Sequence, residues 1–224
     1  MELPCLAPPG NNYKNQYMLQ YITNTDCKVP VADQVRAVLD GGCRWIQVRM
    51  KDASDEEVSK VVETIKPWCM EKEAFLILND RVELARKLDV GGVHIGKDDM
   101  PPRQARGLLG PAAVIGVTVN TFDDIRALAG MDIDYLGMGP YAGTSTKKNL
   151  APILGVNGIR DLCLDMVKAD MAFAHVAVGG ITLADVEPLM EAGVNGIAVS
   201  GAIAFAHDLT KATKDFINAL KPFQ

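Results

Sequence analysis

From Tyr17 onward, short apolar runs alternate with longer stretches whose apolar residues recur every three to four positions. The runs are YMLQYIT (17–23), RWIQVRM (44–50), AFLILN (74–79), GGVHIG (91–96), AAVIGVT (112–118), IDYLGMG (133–139), AFAHVAV (172–178) and NGIAVS (195–200). Short runs with little polar alternation suit parallel strands buried on both faces. Between them, ADQVRAVLDGG places Val35, Val38 and Leu39 on one helical face, and DEEVSKVVETIKPW does so with Val58, Val61, Val62 and Ile65. ITLADVEPLMEAG repeats the pattern with Val186, Leu189 and Met190. Ser54, Thr121 and Thr182 stand where helix N-caps belong, with Asp185 in the first turn after Thr182. Gly41, Gly130 and Gly193 follow the last apolar helical positions.

Eight strand–helix units predict an α/β protein, a single (β/α)8 TIM barrel over residues 17–224. A doubly wound open sheet is the alternative, but ITNTDCKVP after the first run is not the glycine-rich turn that fold wants. Residues 1–16, MELPCLAPPGNNYKNQ, have neither a basic n-region nor a long apolar h-region. They are expected to form a loose N-terminal arm rather than a signal peptide.

Composition narrows the partners. Hydrophobic residues make up 48% of the 224 and charged residues 23%, which excludes a disordered or fibrous chain. No apolar run nears the ~20 residues that cross a bilayer, so no membrane partner is expected. The net charge of −5, from 23 basic and 28 acidic residues, argues against nucleic acid and leaves any phosphate chemistry to a local site. Five widely spaced cysteines without CxxC make neither a disulfide framework nor a zinc site and suit a reduced, cytoplasmic protein. Homo-oligomerisation has no readable signal.

In such a barrel chemistry belongs at the C-terminal ends of the strands. The second run ends in Gln47-Val48-Arg49-Met50-Lys51, where period two puts Gln47, Arg49 and Lys51 on one face and Val48 and Met50 on the other. The third ends in Asn79-Asp80, and the fourth leads into Gly96-Lys97-Asp98-Asp99. Acids at neighbouring strand ends can share Mg²⁺, which takes one or two carboxylates plus phosphate and water. The bland alternatives are Asp80 as N-cap of the RVELARKL helix and Asp98-Asp99 as a solvated turn before Pro101-Pro102. The fifth run ends in Thr118. After the sixth, Gly139 to Gly155 lacks an apolar period and carries Thr144, Ser145, Thr146, Lys147 and Lys148. Loops beyond ~12–15 residues are commonly functional, and hydroxyls with lysines suit phosphate and a lid. Glycines after the last two runs, at Gly179-Gly180 and Ser200-Gly201, allow backbone N–H groups to approach a phosphate. His94, His175 and His207 read as core or surface histidines rather than general bases.

In this order the pieces resemble the thiamine-phosphate synthase (thiamine-phosphate pyrophosphorylase) family. The resemblance spans Tyr17 to about Ala206 and rests on QVRMKD (47–52), ND (79–80), GVHIGKDD (92–99), GVT (116–118), DYLGMGP (134–140), TSTKK (144–148), VGGI (178–181) and AVSGAI (198–203). It implies a (β/α)8 barrel that joins hydroxymethylpyrimidine diphosphate to hydroxyethylthiazole phosphate. It implies that Gln47, Val48, Arg49, Met50, Lys51 and Asn79 hold the pyrimidine diphosphate and that Asp80 and Asp99 ligate Mg²⁺. Thr118 and Lys147 fall on the diphosphate side, and Arg49 and Lys51 join them in meeting the leaving group's charge. Thr144, Ser145, Thr146, Gly180, Ser200 and Gly201 fall around the thiazole phosphate. The chain departs from the family's usual residues with Lys97 for Gln, Thr118 for Ser, Asn120 for His and Ser-Gly at 200–201. Lys97 is expected to add a charge beside the metal acids. Two rival readings are a thiazole tautomerase-like isomerase and a non-catalytic thiamine-phosphate-binding regulator. The joint presence of Asn79-Asp80, Asp99 and TSTKK argues for the synthase.

Overall fold

The computed structural model describes residues 17–143 and 152–224. The expected arm, residues 1–16, lies outside them. Eight parallel strands close into a barrel in chain order. They are β1 (Leu19–Ile22), β2 (Trp45–Val48), β3 (Phe75–Asn79), β4 (Gly92–Ile95), β5 (Val114–Val119), β6 (Tyr135–Met138), β7 (Ala174–Val178) and β8 (Gly196–Val199). Each of the eight apolar runs coincides with a strand; every strand is shorter than its run, and β5 continues one residue past its run, to Val119. The open-sheet alternative is excluded, because β8 pairs back onto β1 through Leu19↔Ile197 and Gln20↔Ala198.

The helices are α1 (Val31–Asp40), α2 (Asp55–Glu71), α3 (Val82–Leu88), α4 (Pro102–Leu109), α5 (Phe122–Ala127), α6 (Gly155–Lys168), α7 (Val186–Glu191), the single-turn α8 (Gly201–Ala204) and α9 (Leu209–Leu220). Local chemistry sets their ends. Ser54 and Thr121 each accept from the N–H three residues on, at 3.2 Å, while Glu57 and Asp124 reach back to the cap. Gly130 and Gly193 lie just beyond helix ends with φ of +70° and +104°, a conformation that favours glycine. Every helix lays its apolar stripe on the barrel's outer wall. Ile46, Val48, Leu76, Leu78, Val93, Ile95, Leu136 and Met138 from the strands join Val35, Val38, Val62, Ile65, Ile125, Ile159 and Leu189 in one continuous layer.

The alternate strand residues point inward. Ile22, Trp45, Phe75, Ile77, Val114, Tyr135, Val176 and Ala198 form a second, inner cluster. Two inner positions are glycine for a steric reason. A Cβ at Gly116 would sit 2.1 Å from Cζ of Tyr135, and one at Gly137 would sit 2.8 Å from Cε1 of His94. The missing side chains leave room for two polar rings inside the barrel.

Candidate active site

The register carries the inward face of each strand up to the mouth. On β2, Gln47 is 1% exposed and points inward, while Val48 and Met50 pack into the outer layer. The predicted alternation holds to the end of β2 at Val48, whereas Lys51 lies in the turn beyond it, and any contact from Val48 or Met50 to a ligand falls to their backbone. The backbone of Arg49 is clamped by Thr23 at the end of β1: Arg49 N–H donates to Thr23 Oγ at 2.9 Å, and the Thr23 hydroxyl donates to Arg49 O at 3.3 Å. Burial lowers the Arg49 guanidinium from its ordinary value, and the acids Asp80, Asp26 and Asp52 oppose that shift.

Asp80 has φ +65°. That left-handed conformation is one Asp tolerates better than most residues. The N-cap of α3 is Arg81, not Asp80. The capping alternative for Asp80 therefore fails, because its backbone turns away from the extended conformation that a cap adopts. Its carboxylate lies 3.4 Å from Lys51 Nζ and within hydrogen-bonding reach of the Asp99 carboxyl. Burial, then the Asp99 hydrogen bond and charge, push Asp80 up to about 6, with Lys51 opposing. Asp99 accepts Gly96 N–H at 2.7 Å, which folds the turn after β4 so that its carboxyl meets that of Asp80. The two acids and Lys51 thus come together at the mouth. Among the described residues no cluster of three or more His, Cys, Asp or Glu could hold a metal. The acids form a pair, the number Mg²⁺ uses when phosphate and water complete its shell.

Arg81, which the sequence reading passed over, braces this corner. Its guanidinium donates to Met50 O at 3.1 Å and Lys51 O at 3.4 Å, and also reaches Ala53 O and the Asp55 carboxylate. It thereby holds the turn that presents Lys51. Lys97 does not add its charge to Asp80 and Asp99, against expectation. Its ammonium is taken up by Asp124 at 2.6 Å, at the start of α5. Burial raises the Asp124 carboxyl, but Lys97 and the N–H groups of Asn120 and Thr121 outweigh it and hold it below its usual value. Asn120 uses its side-chain amide to donate to Gly139 O.

Thr118 faces inward at the end of β5, and its hydroxyl lies 2.9 Å from His94 Nε2. Nδ1 of His94 lies 2.9 Å from the Tyr135 hydroxyl. His94 is thus joined to a candidate site residue, a link that depends on strand register and has no signature in the sequence. His175 does behave as a core residue: its ring nitrogens face Phe173 O at 2.8 Å and Gly193 O at 3.1 Å. His207 is exposed.

Gly179 and Gly180 have φ of +105° and +64°, and a Cβ on Gly180 would sit 2.6 Å from Gly143 O. Only glycine lets the turn after β7 lie so close under the segment after β6. That segment's outgoing stem is seated by Tyr141 N–H to Val178 O and Ala142 N–H to Gly179 O, each 2.9 Å. Its returning stem closes on the first through Leu154 N–H to Pro140 O and Gly155 N–H to Tyr141 O, also 2.9 Å. The Tyr141 hydroxyl donates to Asp185 at 2.7 Å, and Asp185 also accepts Thr182 N–H at 2.8 Å. Ser200 accepts from the Asn24 side chain at 3.2 Å, tying β8 to the end of β1, and Gly201 opens α8. Thr144, Ser145, Thr146 and Lys147 lie outside the described residues.

The family model for thiamine monophosphate synthase matches residues 19–203. A curated protein named thiamine-phosphate synthase from Bacteroides fragilis is 50% identical over 200 residues, covering 89% of this chain and 98% of the relative. Its namesake from Bacteroides thetaiotaomicron is 48% identical over 200 residues, covering 89% of this chain and 96% of the relative. A solved structure described as thiamine phosphate pyrophosphorylase from Pyrococcus furiosus superposes with a TM-score of 0.83 at 30% identity, covering 95% of this chain and 99% of that one.

Proposed function

The chain belongs to the thiamine monophosphate synthase family, and we propose that the acid and cation rim of its barrel mouth is where it performs that family's reaction. It is a transferase of thiamine biosynthesis that joins hydroxymethylpyrimidine diphosphate to hydroxyethylthiazole phosphate and releases diphosphate. The observation that carries the site is the meeting of Asp80 and Asp99 beside Lys51. Two partly exposed carboxyls in contact at the barrel mouth, one of them raised, suit a dication that brings phosphate oxygens with it.

Asp80 and Asp99 would hold Mg²⁺. Bound there, the ion would neutralise charge on the diphosphate. The bond from the pyrimidine methylene to the diphosphate oxygen breaks as the thiazole nitrogen forms its bond to the same carbon. Positive charge grows on the methylene and negative charge on the leaving oxygen. Arg49, Lys51 and Lys147 meet the negative charge, and the Thr118 hydroxyl adds a hydrogen bond to it. Gln47 and Asn79, with backbone atoms of Val48 and Met50, hold the pyrimidine end. Thr144, Ser145 and Thr146 hold the thiazole phosphate with Gly180, Ser200 and Gly201. These groups hold two rings in line, which lowers the barrier by orientation rather than by a strong base.

The substrates are the expected small-molecule partners. Among the described residues no helix is long and apolar enough to cross a membrane. Cys27, Cys43, Cys69 and Cys163 are free thiols, which suits work in the reducing cytoplasm. The direct test is to incubate the protein with both substrates and Mg²⁺. Thiamine phosphate should form in equal amount with diphosphate. Its absence, with folded protein, would overturn the assignment.

A further inference from the structure

We propose that His94 is a positioning residue: it ends a one-directional hydrogen-bond chain through the barrel and turns the Thr118 hydroxyl proton toward an anion at the mouth. The inference rests on the reading that Thr118 faces the diphosphate, and it assigns a task to a histidine that the reaction scheme above leaves unused.

The chain crosses the barrel through five strands. Gln47 Nε2 donates to Gln20 Oε1 at 3.2 Å, and Gln20 Nε2 donates to the Tyr135 hydroxyl oxygen at 3.0 Å. Tyr135 and Thr118 then lie 2.9 Å from the two ring nitrogens of His94. Gln47, Gln20 and Tyr135 are each no more than 2% exposed. Polar groups this deep must find partners within the protein. The sequence makes room for them, since a Cβ at Gly116 would displace the Tyr135 ring and one at Gly137 would strike His94.

The direction of the chain follows from counting protons. Tyr135 has one hydroxyl proton, and its oxygen already accepts from Gln20. Among the described residues the other group at that hydroxyl is His94 Nδ1, so the proton points there. Nδ1 therefore accepts, and the neutral ring carries its own proton on Nε2. Nε2–H then donates to Thr118 Oγ. With that lone pair occupied, the Thr118 hydroxyl proton is left to donate to a second acceptor. A diphosphate oxygen, which is acceptor only, is such a partner. The opposite tautomer requires the Gln20 and Gln47 amides to be turned over, so that Gln20 accepts the Tyr135 proton instead of donating to its oxygen, and it would make Thr118 donate inward. Its hydroxyl would then offer only a lone pair to an anion.

Two measurements test this. In ligand-free protein with 15N-labelled histidine, the His94 signals should show the proton on Nε2. A proton on Nδ1 with Nε2 bare would overturn the chain, whatever reaction the enzyme performs. The second is a double-mutant cycle with Tyr135→Phe, which keeps the ring and its edge contact with Trp45 but removes the hydroxyl. Tyr135→Phe should lower kcat by about tenfold, the size of weakening one charge-assisted hydrogen bond, with a smaller change in KM. In a Thr118→Val background the same change should cost less than about twofold further, because the group it orients is gone. Equal losses in both backgrounds would assign Tyr135 and His94 a purely structural role and overturn the proposal. If the parent makes no thiamine phosphate, the synthase reading fails, and the tautomer result still decides the chain.

Discussion

Asp99→Asn separates what the acid pair does for a cation from what it does to the fold. Asp80 is raised from 3.8 to about 6, by burial first and by its hydrogen bond to Asp99 and that residue's charge next. Its folded value lies above its unfolded one, so the native state binds the extra proton. This group's influence is therefore most favourable below about pH 4, and stability is lost as pH rises through about 6. Moving a carboxyl that far costs its ionised form at most roughly 3 kcal/mol, at ~1.4 kcal/mol per tenfold change in proton affinity. Burial is the larger cause, and the Asp80 side chain is still 23% exposed, which screens the pair. The Asp99 share is then on the order of 1 kcal/mol or less. Asn at 99 keeps an oxygen for Gly96 N–H, which Asp99 accepts at 2.7 Å, and removes only the charge. Urea unfolding in EDTA should find the variant more stable than the parent at pH 8 by about 0.5–1 kcal/mol, with the gain gone near pH 4.5. Turnover with Mg²⁺ should fall at least tenfold in the same variant, about 1.4 kcal/mol. A gain of the same size at both pH values would show that repulsion between the acids is not what it relieves.

Asp80→Ala should likewise lower turnover at least about tenfold, and full activity of the parent in EDTA would remove the metal from the scheme. Thr118→Ser should remain within a few-fold of the parent, whereas Thr118→Val should lose about ten- to hundredfold in kcat, the effect of a hydrogen bond to a charged partner worth roughly 1.5–3 kcal/mol. Equal activity of the valine variant would leave the hydroxyl without a catalytic role. Lys147→Ala should lower kcat rather than raise KM, since its partner charge grows in the transition state. Steady-state kinetics showing only a raised KM would make it a binding residue. Gly116→Ala would put a Cβ 2.1 Å from the Tyr135 ring. It should destabilise the fold by about 1–3 kcal/mol or more in urea unfolding, and an unchanged midpoint would show that the ring can move aside.

What could be read from the sequence was local. A strand buried on both faces shows as an apolar run, and the Ser54 and Thr121 caps are set by residues three positions apart. Gln47, Arg49 and Lys51 were legible as a set because period two needs no knowledge of the partner strand. Asp80 was legible as an acid at a strand end, but its left-handed backbone, which decides between cap and ligand, was not. The partners of Lys97 and His94 lie on the next strand–helix units, at Asp124 after β5 and at Thr118 and Tyr135 on β5 and β6. No spacing within one segment encodes them. Nothing in their own segments accounts for Gly116 and Gly137, whose reason is a ring on another strand.

The paired stems after β6 bear on how such an enzyme diversifies. Leu154 and Gly155 pair with Pro140 and Tyr141, so the two ends of the intervening stretch are held together at one fixed gate. Changing what passes through that gate alters the closure entropy only slowly, by ~0.6 kcal/mol for each doubling of length. The scaffold can therefore be inherited intact while the inserted stretch is exchanged, lengthened or rewritten as a cassette. Grafting the corresponding stretch from a relative is then a question about substrates, with folding left almost untouched.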